Sequence, residues 1–148
     1  EHAGDNGHAA QLAELDDRYK RALADLDNYR KRAARDADRR VEERTETLLR
    51  EFLEAVDSVE RALKHAKGDA EEGLRAVLEQ MDTILGRRGA NRIKALPGDR
   101  FNPELHNAVG TVTTDEYPDH TIVEITRSGY MLGGRVLRPA EVIVARRP

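Results

Sequence analysis

The feature that most constrains this chain is a run of apolar positions three or four residues apart through its first half. It reads Leu12, Leu15, Tyr19, Ala22, Leu26, Tyr29 and Ala33, then Ala37, Val41, Leu48, Phe52, Ala55, Val59, Ala62 and Ala66. Neither Gly nor Pro interrupts residues 9–67. A single helix of that length spans roughly 80 Å at about 1.5 Å per residue, far more than a small globular domain needs. Such a helix cannot hide its stripe against itself, so the pattern calls for a second chain. Leu12, Leu15, Tyr19, Leu26, Tyr29, Leu48, Phe52 and Val59 are the expected dimerisation seam.

Composition argues against one round core. Of the 148 residues, 36% are charged and only 4% aromatic, with no Trp. That balance suits a long helix carrying a small folded module. Cysteine is absent, which rules out a disulfide, a thiolate zinc site and a cysteine nucleophile, and fits a reducing compartment. A cytoplasmic location is therefore expected. No apolar run approaches a membrane span. The opening residues have neither the apolar core of a signal peptide nor an initiator Met, so the chain is expected to be a trimmed form of something longer. The formal net charge of -3 gives no reason to expect nucleic acid.

Four segments follow. Residues 1–10 read as a flexible tail and residues 11–67 as the long dimerisation helix. From Ala33 through Ala37 to Val41 the spacing becomes four and four, a stutter that locally unwinds a left-handed supercoil. Asp36, Asp38, Arg39 and Arg40 crowd the stripe there, so residues 33–47 are expected to open at lower temperature than a well-packed bundle. From Leu48 the stripe broadens through Leu49, Phe52, Leu53, Val56, Val59 and Leu63, which suits a helix with several neighbours. Lys67-Gly68-Asp69 ends it. Residues 69–88 read as a short bundle helix, with Asp69 as its cap and Leu74, Val77, Leu78, Met81, Ile84 and Leu85 as its stripe. Folded back beside the first helix, it forms a hairpin, and two hairpins make a four-helix bundle. Residues 90–148 read as a β domain. Its strand candidates are 108–113, 121–127, 130–132, 135–137 and 140–145, with a tight hairpin at Gly133-Gly134 and a short turn at Asn102-Pro103-Glu104. The fold class is α+β.

No catalytic constellation appears, so the chain is read as a non-enzyme that needs no cofactor. The P-loop, the G-x-G-x-x-G fingerprint and H-E-x-x-H are missing. His2, His8, His65, His106 and His120 are scattered without ligand spacing, and no metal site is expected. Acidic residues mostly fall three or four positions from a base on the helix, as Glu60 does from Lys64, which marks a solvated face. Arg30, Lys31, Arg32, Arg35, Arg39, Arg40 and Arg44 form a basic strip diluted by acids. It reads as a solvated coiled-coil surface, as a docking strip for an acidic protein, or more weakly as a DNA-contacting region, which would be denser and free of acids.

Four segments resemble the GrpE family, nucleotide exchange factors for the DnaK-type heat-shock chaperone. They are Asp27-Asn28-Tyr29-Arg30-Lys31-Arg32, then Ala55-Val56-Asp57-Ser58-Val59-Glu60-Arg61-Ala62-Leu63, then Phe101-Asn102-Pro103-Glu104-Leu105-His106-Asn107-Ala108-Val109. The last is Gly129-Tyr130-Met131-Leu132-Gly133-Gly134-Arg135-Val136-Leu137-Arg138-Pro139-Ala140. The flavour is actinobacterial. The resemblance implies a parallel homodimer with a four-helix bundle, whose β domain binds the chaperone's nucleotide-binding domain and promotes ADP release. It implies chaperone contacts at Arg30, Arg39, His65, Thr126, Arg135 and Val144. His65 replaces what is often an aliphatic residue. The family also often has Pro where Glu54 or Ala55 stands, so the helix here should be less kinked. The alternative is a coiled-coil scaffold that spaces two adaptor domains.

Overall fold

The computed structural model describes residues 3–148, with side chains from residue 6 onward. Among these the chain forms two helices and six strands: α1 (Ala3–His65), α2 (Asp69–Arg87), β1 (Ala90–Arg92), β2 (His106–Thr113), β3 (Ile122–Arg127), β4 (Tyr130–Leu132), β5 (Arg135–Arg138) and β6 (Ala140–Arg146). The class is α+β. The chain divides into two compact units, one up to Thr45 and the other Glu46–Pro148.

The first unit is the leading part of α1. Its helix is supported by acid-before-base pairs one turn apart: Glu14 with Arg18 at 2.6 Å, Asp16 with Lys20 at 2.6 Å and Asp27 with Lys31 at 2.9 Å. That orientation is the favourable one, though each exposed pair contributes only about 0.3–0.5 kcal/mol. Residues 3–10, expected as a tail, are helical instead. Extending a formed helix adds one hydrogen bond per residue fixed, so Gly4 and Gly7 do not stop it. Residues 1 and 2 of that expected tail lie outside the described residues.

In the second unit α1 continues unbroken past Glu54 and Ala55 to His65. A loop through Gly68 then reverses the chain. Gly68 has φ +66°, a backbone that side chains disfavour. It is also the N-cap of α2, and no side chain caps that end. Asp69, expected as the cap, is the first helical residue instead; with Glu71 and Glu72 it supplies negative charge to the first turn. The helix stops where Arg88 and Gly89 donate to Leu85 and Gly86 carbonyls.

Two three-stranded sheets complete this unit. One has the order β1-β4-β5 and is antiparallel throughout. Its β4–β5 turn is the expected Gly133-Gly134 pair, and Gly133 takes φ +60°. The other has the order β2-β6-β3, with β2 parallel and β3 antiparallel to β6. Strand β1 was not expected: three residues are too few to show a period. Gly129 matters for closure. A Cβ there would stand 2.3 Å from the backbone nitrogen of Ala140, so only glycine lets β4 and β6 begin so close together.

Two apolar clusters hold the unit. The first joins Leu49, Leu53 and Val56 of α1, Leu85 of α2, Ala90, Tyr130 and Leu137, flanked by Phe52, Leu78, Met81 and Leu132. The second lies in the β2-β6-β3 sheet and joins Ile122, Ala140, Val142 and Val144. Leu53 is fully buried in the first cluster. Leu53→Ala should therefore destabilise this unit by about 2–5 kcal/mol, read as a lowered midpoint in denaturant titration followed by far-UV circular dichroism.

Candidate partner-binding surfaces

The β strands are fixed to the helices by a lattice of charged and polar groups beside the first apolar cluster. Asp57 and Glu60 lie three apart on α1, on the face that carries Leu53 and Val56. Arg138 of β5 grips Asp57 through two parallel bonds, Nη1 to Oδ2 and Nη2 to Oδ1, each 2.8 Å. This fork geometry suits Arg and not Lys. Arg127 of β3 adds Nε to Asp57 Oδ2 at 3.0 Å and faces Glu141 at 3.5 Å. Glu60 accepts from Arg92 of β1 at 2.6 Å and from Ser128 Oγ at 2.9 Å. Arg92 also reaches Asp82 of α2 at 3.1 Å. Tyr130, fully buried, donates its hydroxyl to Asp82 Oδ1 at 3.0 Å, and the guanidinium carbons of Arg92 and Arg138 lie 5.2 and 5.8 Å from its ring centre. The expected helical pair of Glu60 with Lys64 gives way to these tertiary partners.

The electrostatics follow from the packing. Burial pushes the Asp57 carboxyl up, but the bonds from Arg138 and Arg127 outweigh it and hold the group below the ordinary carboxylate range. Burial would pull the Arg92 guanidinium down; Glu60 and Asp82 instead keep it more firmly protonated. Burial, aided by the Asp82 carboxylate, raises the Tyr130 phenol against the pull of Arg92, so it stays neutral and remains a donor. Outside the lattice, Arg135 on β5 pairs with Glu46 of α1, and this bond and one from Arg50 lower the Glu46 carboxyl.

A cleft of about 270 Å³ opens where α1 meets β3 and β6, lined by Asp57, Glu60, Arg61, Lys64, Thr126, Arg127 and Glu141. Of the residues expected to contact a partner, Thr126 lines this cleft, exposed, with its hydroxyl donating to the Glu141 carbonyl at 3.1 Å. His65 is the exposed last residue of α1. Arg135 is exposed on β5 beside the Gly133-Gly134 turn. Val144 is a correction: it is 6% exposed and packs with Ile122 and Val142. The period of two along Ala140, Val142 and Val144 turns it inward, a signal present in the sequence. In the unit ending at Thr45, Arg30 and Arg39 are exposed, and Arg39 has Asp36 at 3.8 Å and Glu43 at 3.7 Å.

The expected seam divides in two. Leu12 and Tyr29 are each 67% exposed, and Leu15, Tyr19 and Leu26 are also open, as is Leu23, which the stripe omitted. Leu48 is exposed as well. Phe52, by contrast, is partly covered by the first apolar cluster of its own chain, and Val59 is half-buried. Lattice residues Arg92, Ser128 and Asp82 escaped sequence reading altogether. The available signal was a pair of carboxylates, Asp57 and Glu60, aligned with the inward stripe instead of the solvent face.

The GrpE family profile matches residues 6–146. Protein GrpE of Methanosarcina acetivorans is 41% identical over 108 residues, covering 70% of this chain and 52% of that protein. Protein GrpE of Enterococcus faecalis is 37% identical over 143 residues, covering 93% and 79%. That of Thermotoga maritima is 36% identical over 110 residues, covering 73% and 63%. The chain thus spans about half the length of the Methanosarcina relative.

The depressed Asp57 carboxyl makes a pH prediction. In the unfolded chain a carboxyl takes a proton near pH 4; in the fold it resists until lower pH. Its stabilisation is therefore complete above about pH 4 and lost as pH falls toward the folded value. Asp57→Asn should cost roughly 3 kcal/mol at neutral pH and flatten the acid limb of stability against pH, measured by urea unfolding between about pH 7 and pH 3.

Proposed function

Since this chain belongs to the GrpE family, we propose that it is an adenyl-nucleotide exchange factor, not an enzyme, which promotes ADP release from a DnaK-type chaperone in the cytoplasm. The β strands wedge against one lobe of the chaperone's nucleotide-binding domain and hold its cleft open. ADP then loses contacts with one wall and leaves, and ATP rebinds. The energy comes from differential binding: the factor prefers the open chaperone and shifts a pre-existing equilibrium. Linkage requires that a nucleotide which closes the cleft weaken the factor's grip by the same ratio. No covalent step is needed.

One observation carries this reading beyond family membership. Directional ion pairs tie both sheets to α1 and the β1-β4-β5 sheet to α2, so a load on the β strands passes to the helices instead of being absorbed by a loose joint. Exposed Thr126, Arg135 and His65 are the contact residues we assign in this unit, and Arg30 and Arg39 those in the other. Under stopped flow, this protein should accelerate ADP dissociation from the chaperone, and Arg135→Ala should weaken chaperone binding about tenfold. An unchanged ADP rate overturns the proposal and leaves the scaffold reading in its place.

The exposed stripe of Leu12, Leu15, Tyr19, Leu23, Leu26 and Tyr29 supports a parallel homodimer, because open water around so many large apolar side chains at helical spacing is unfavourable. The charged stretch 33–47 supports a helix that melts before the β strands. Sedimentation should give twice the chain mass at micromolar concentration, with Leu15→Lys shifting it toward one chain. Heating followed by circular dichroism should show helix lost in a first, separate transition.

A further inference from the structure

We propose that His106 is a proton-operated clasp on the turn that leads into β2: a proton taken up at Nδ1 removes the acceptor that holds the Asn102 amide, and the turn is left held by its backbone bonds alone. His106 is 6% exposed. Its Nδ1 accepts the backbone N–H of Asn102 at 3.0 Å. That bond assigns the neutral tautomer, with the lone pair on Nδ1 and the hydrogen on Nε2. Nε2 is buried and has no hydrogen-bond partner. The ring rests near Phe101, with centroids 5.9 Å apart.

An imidazolium cannot be accommodated in this arrangement. It would present Nδ1–H to another N–H donor, while Nε2–H would still face no acceptor. A buried cation with both donors unanswered is strongly disfavoured. The charged groups nearby do not repair this. Asp99 of the preceding connector acts on the ring from a distance, and its carboxylate is engaged by the Leu96 N–H at 2.8 Å. Glu104, within the turn, is exposed. On β6, Ala140 is the register partner of His106, and the next residue, Glu141, faces Arg127. Burial accordingly moves the His106 pKa down, with Asp99 drawing part of it back.

The clasp secures a junction. The Asn102 carbonyl accepts the N–H groups of Leu105 at 3.1 Å and His106 at 2.8 Å, and its Oδ1 accepts that of Glu104 at 3.0 Å. The Leu105 carbonyl accepts the N–H of Ala140, the first residue of β6, at 3.0 Å. The edge strand β2 and its central neighbour β6 therefore both start at this turn. The sign of the pH effect is fixed. The unfolded chain takes up the proton near pH 6.5, while the fold keeps the ring neutral to lower pH, so stability declines as pH falls below about 6.5.

Hydrogen exchange at the Asn102 amide of the full chain, corrected for its intrinsic pH dependence, tests this. Exchange should accelerate about tenfold between roughly pH 7.5 and pH 5 as the bond is lost. His106→Asn places Oδ1 where Nδ1 stood, so the acceptor survives and no longer titrates; its protection should be independent of pH. Asp99→Asn keeps an acceptor for Leu96 but removes the negative charge, and should move the acid transition to lower pH. Protection of Asn102 that stays constant in the parent chain overturns the clasp, as does an equal acid response in His106→Asn. If that variant does not fold, the Asp99→Asn midpoint decides: an unmoved midpoint overturns the proposal.

Discussion

The grip of Arg138 on Asp57 is the interaction on which the arrangement of residues 46–148 depends. Apolar burial drives Leu53, Val56, Leu85 and Tyr130 together, but it has no direction, and several packings of two helices on a small sheet bury similar area. A planar guanidinium bonded at two points to one carboxylate admits a single orientation of β5 against α1. Arg127 and Arg92 repeat the constraint from β3 and β1. Ion pairs of this kind contribute little net stability once desolvation is counted, yet breaking one by removing a single partner is costly. Here the partners are shared, Asp57 between Arg138 and Arg127 and Arg92 between Glu60 and Asp82, so the lattice acts as a unit.

That division of labour explains why the polar groups cluster where they do. The β1-β4-β5 sheet sits on the helices through apolar side chains and is registered by charge around their edge. Tyr130 serves both purposes: its ring fills the core and its hydroxyl ends on Asp82. The β2-β6-β3 sheet has its own apolar cluster and meets the lattice through Arg127 and Glu141. A small β unit thus gains from the helices the rigidity that its own core is too small to provide.

The two parts of α1 place opposite demands on one helix. After Glu46 its inward face is satisfied within the chain by Leu85, Ala90, Tyr130 and Leu137. Before Thr45 the large apolar side chains among the described residues are exposed. Both stretches share the same three-four spacing, so periodicity alone could not say which part is covered by its own chain and which stays exposed.

The sequence by itself determined the elements. The unbroken three-four stripe specified α1, Gly68 and the acidic start specified α2, and Gly133-Gly134 with alternating neighbours specified the β4–β5 hairpin, because these signals act over a few residues and need no partner. The four motifs carried the family. Only tertiary structure decided which side chains meet. Glu60 looked like half of a helical pair with Lys64 and instead bonds Arg92 and Ser128, thirty-two and sixty-eight residues away. Val144 looked like a contact residue and faces the core. β1 became a strand only because β4 was there to pair with it. Local backbone preference is written in neighbouring residues; the choice among distant partners depends on which burial satisfies every charge at once, and that exists only once the chain has closed on itself.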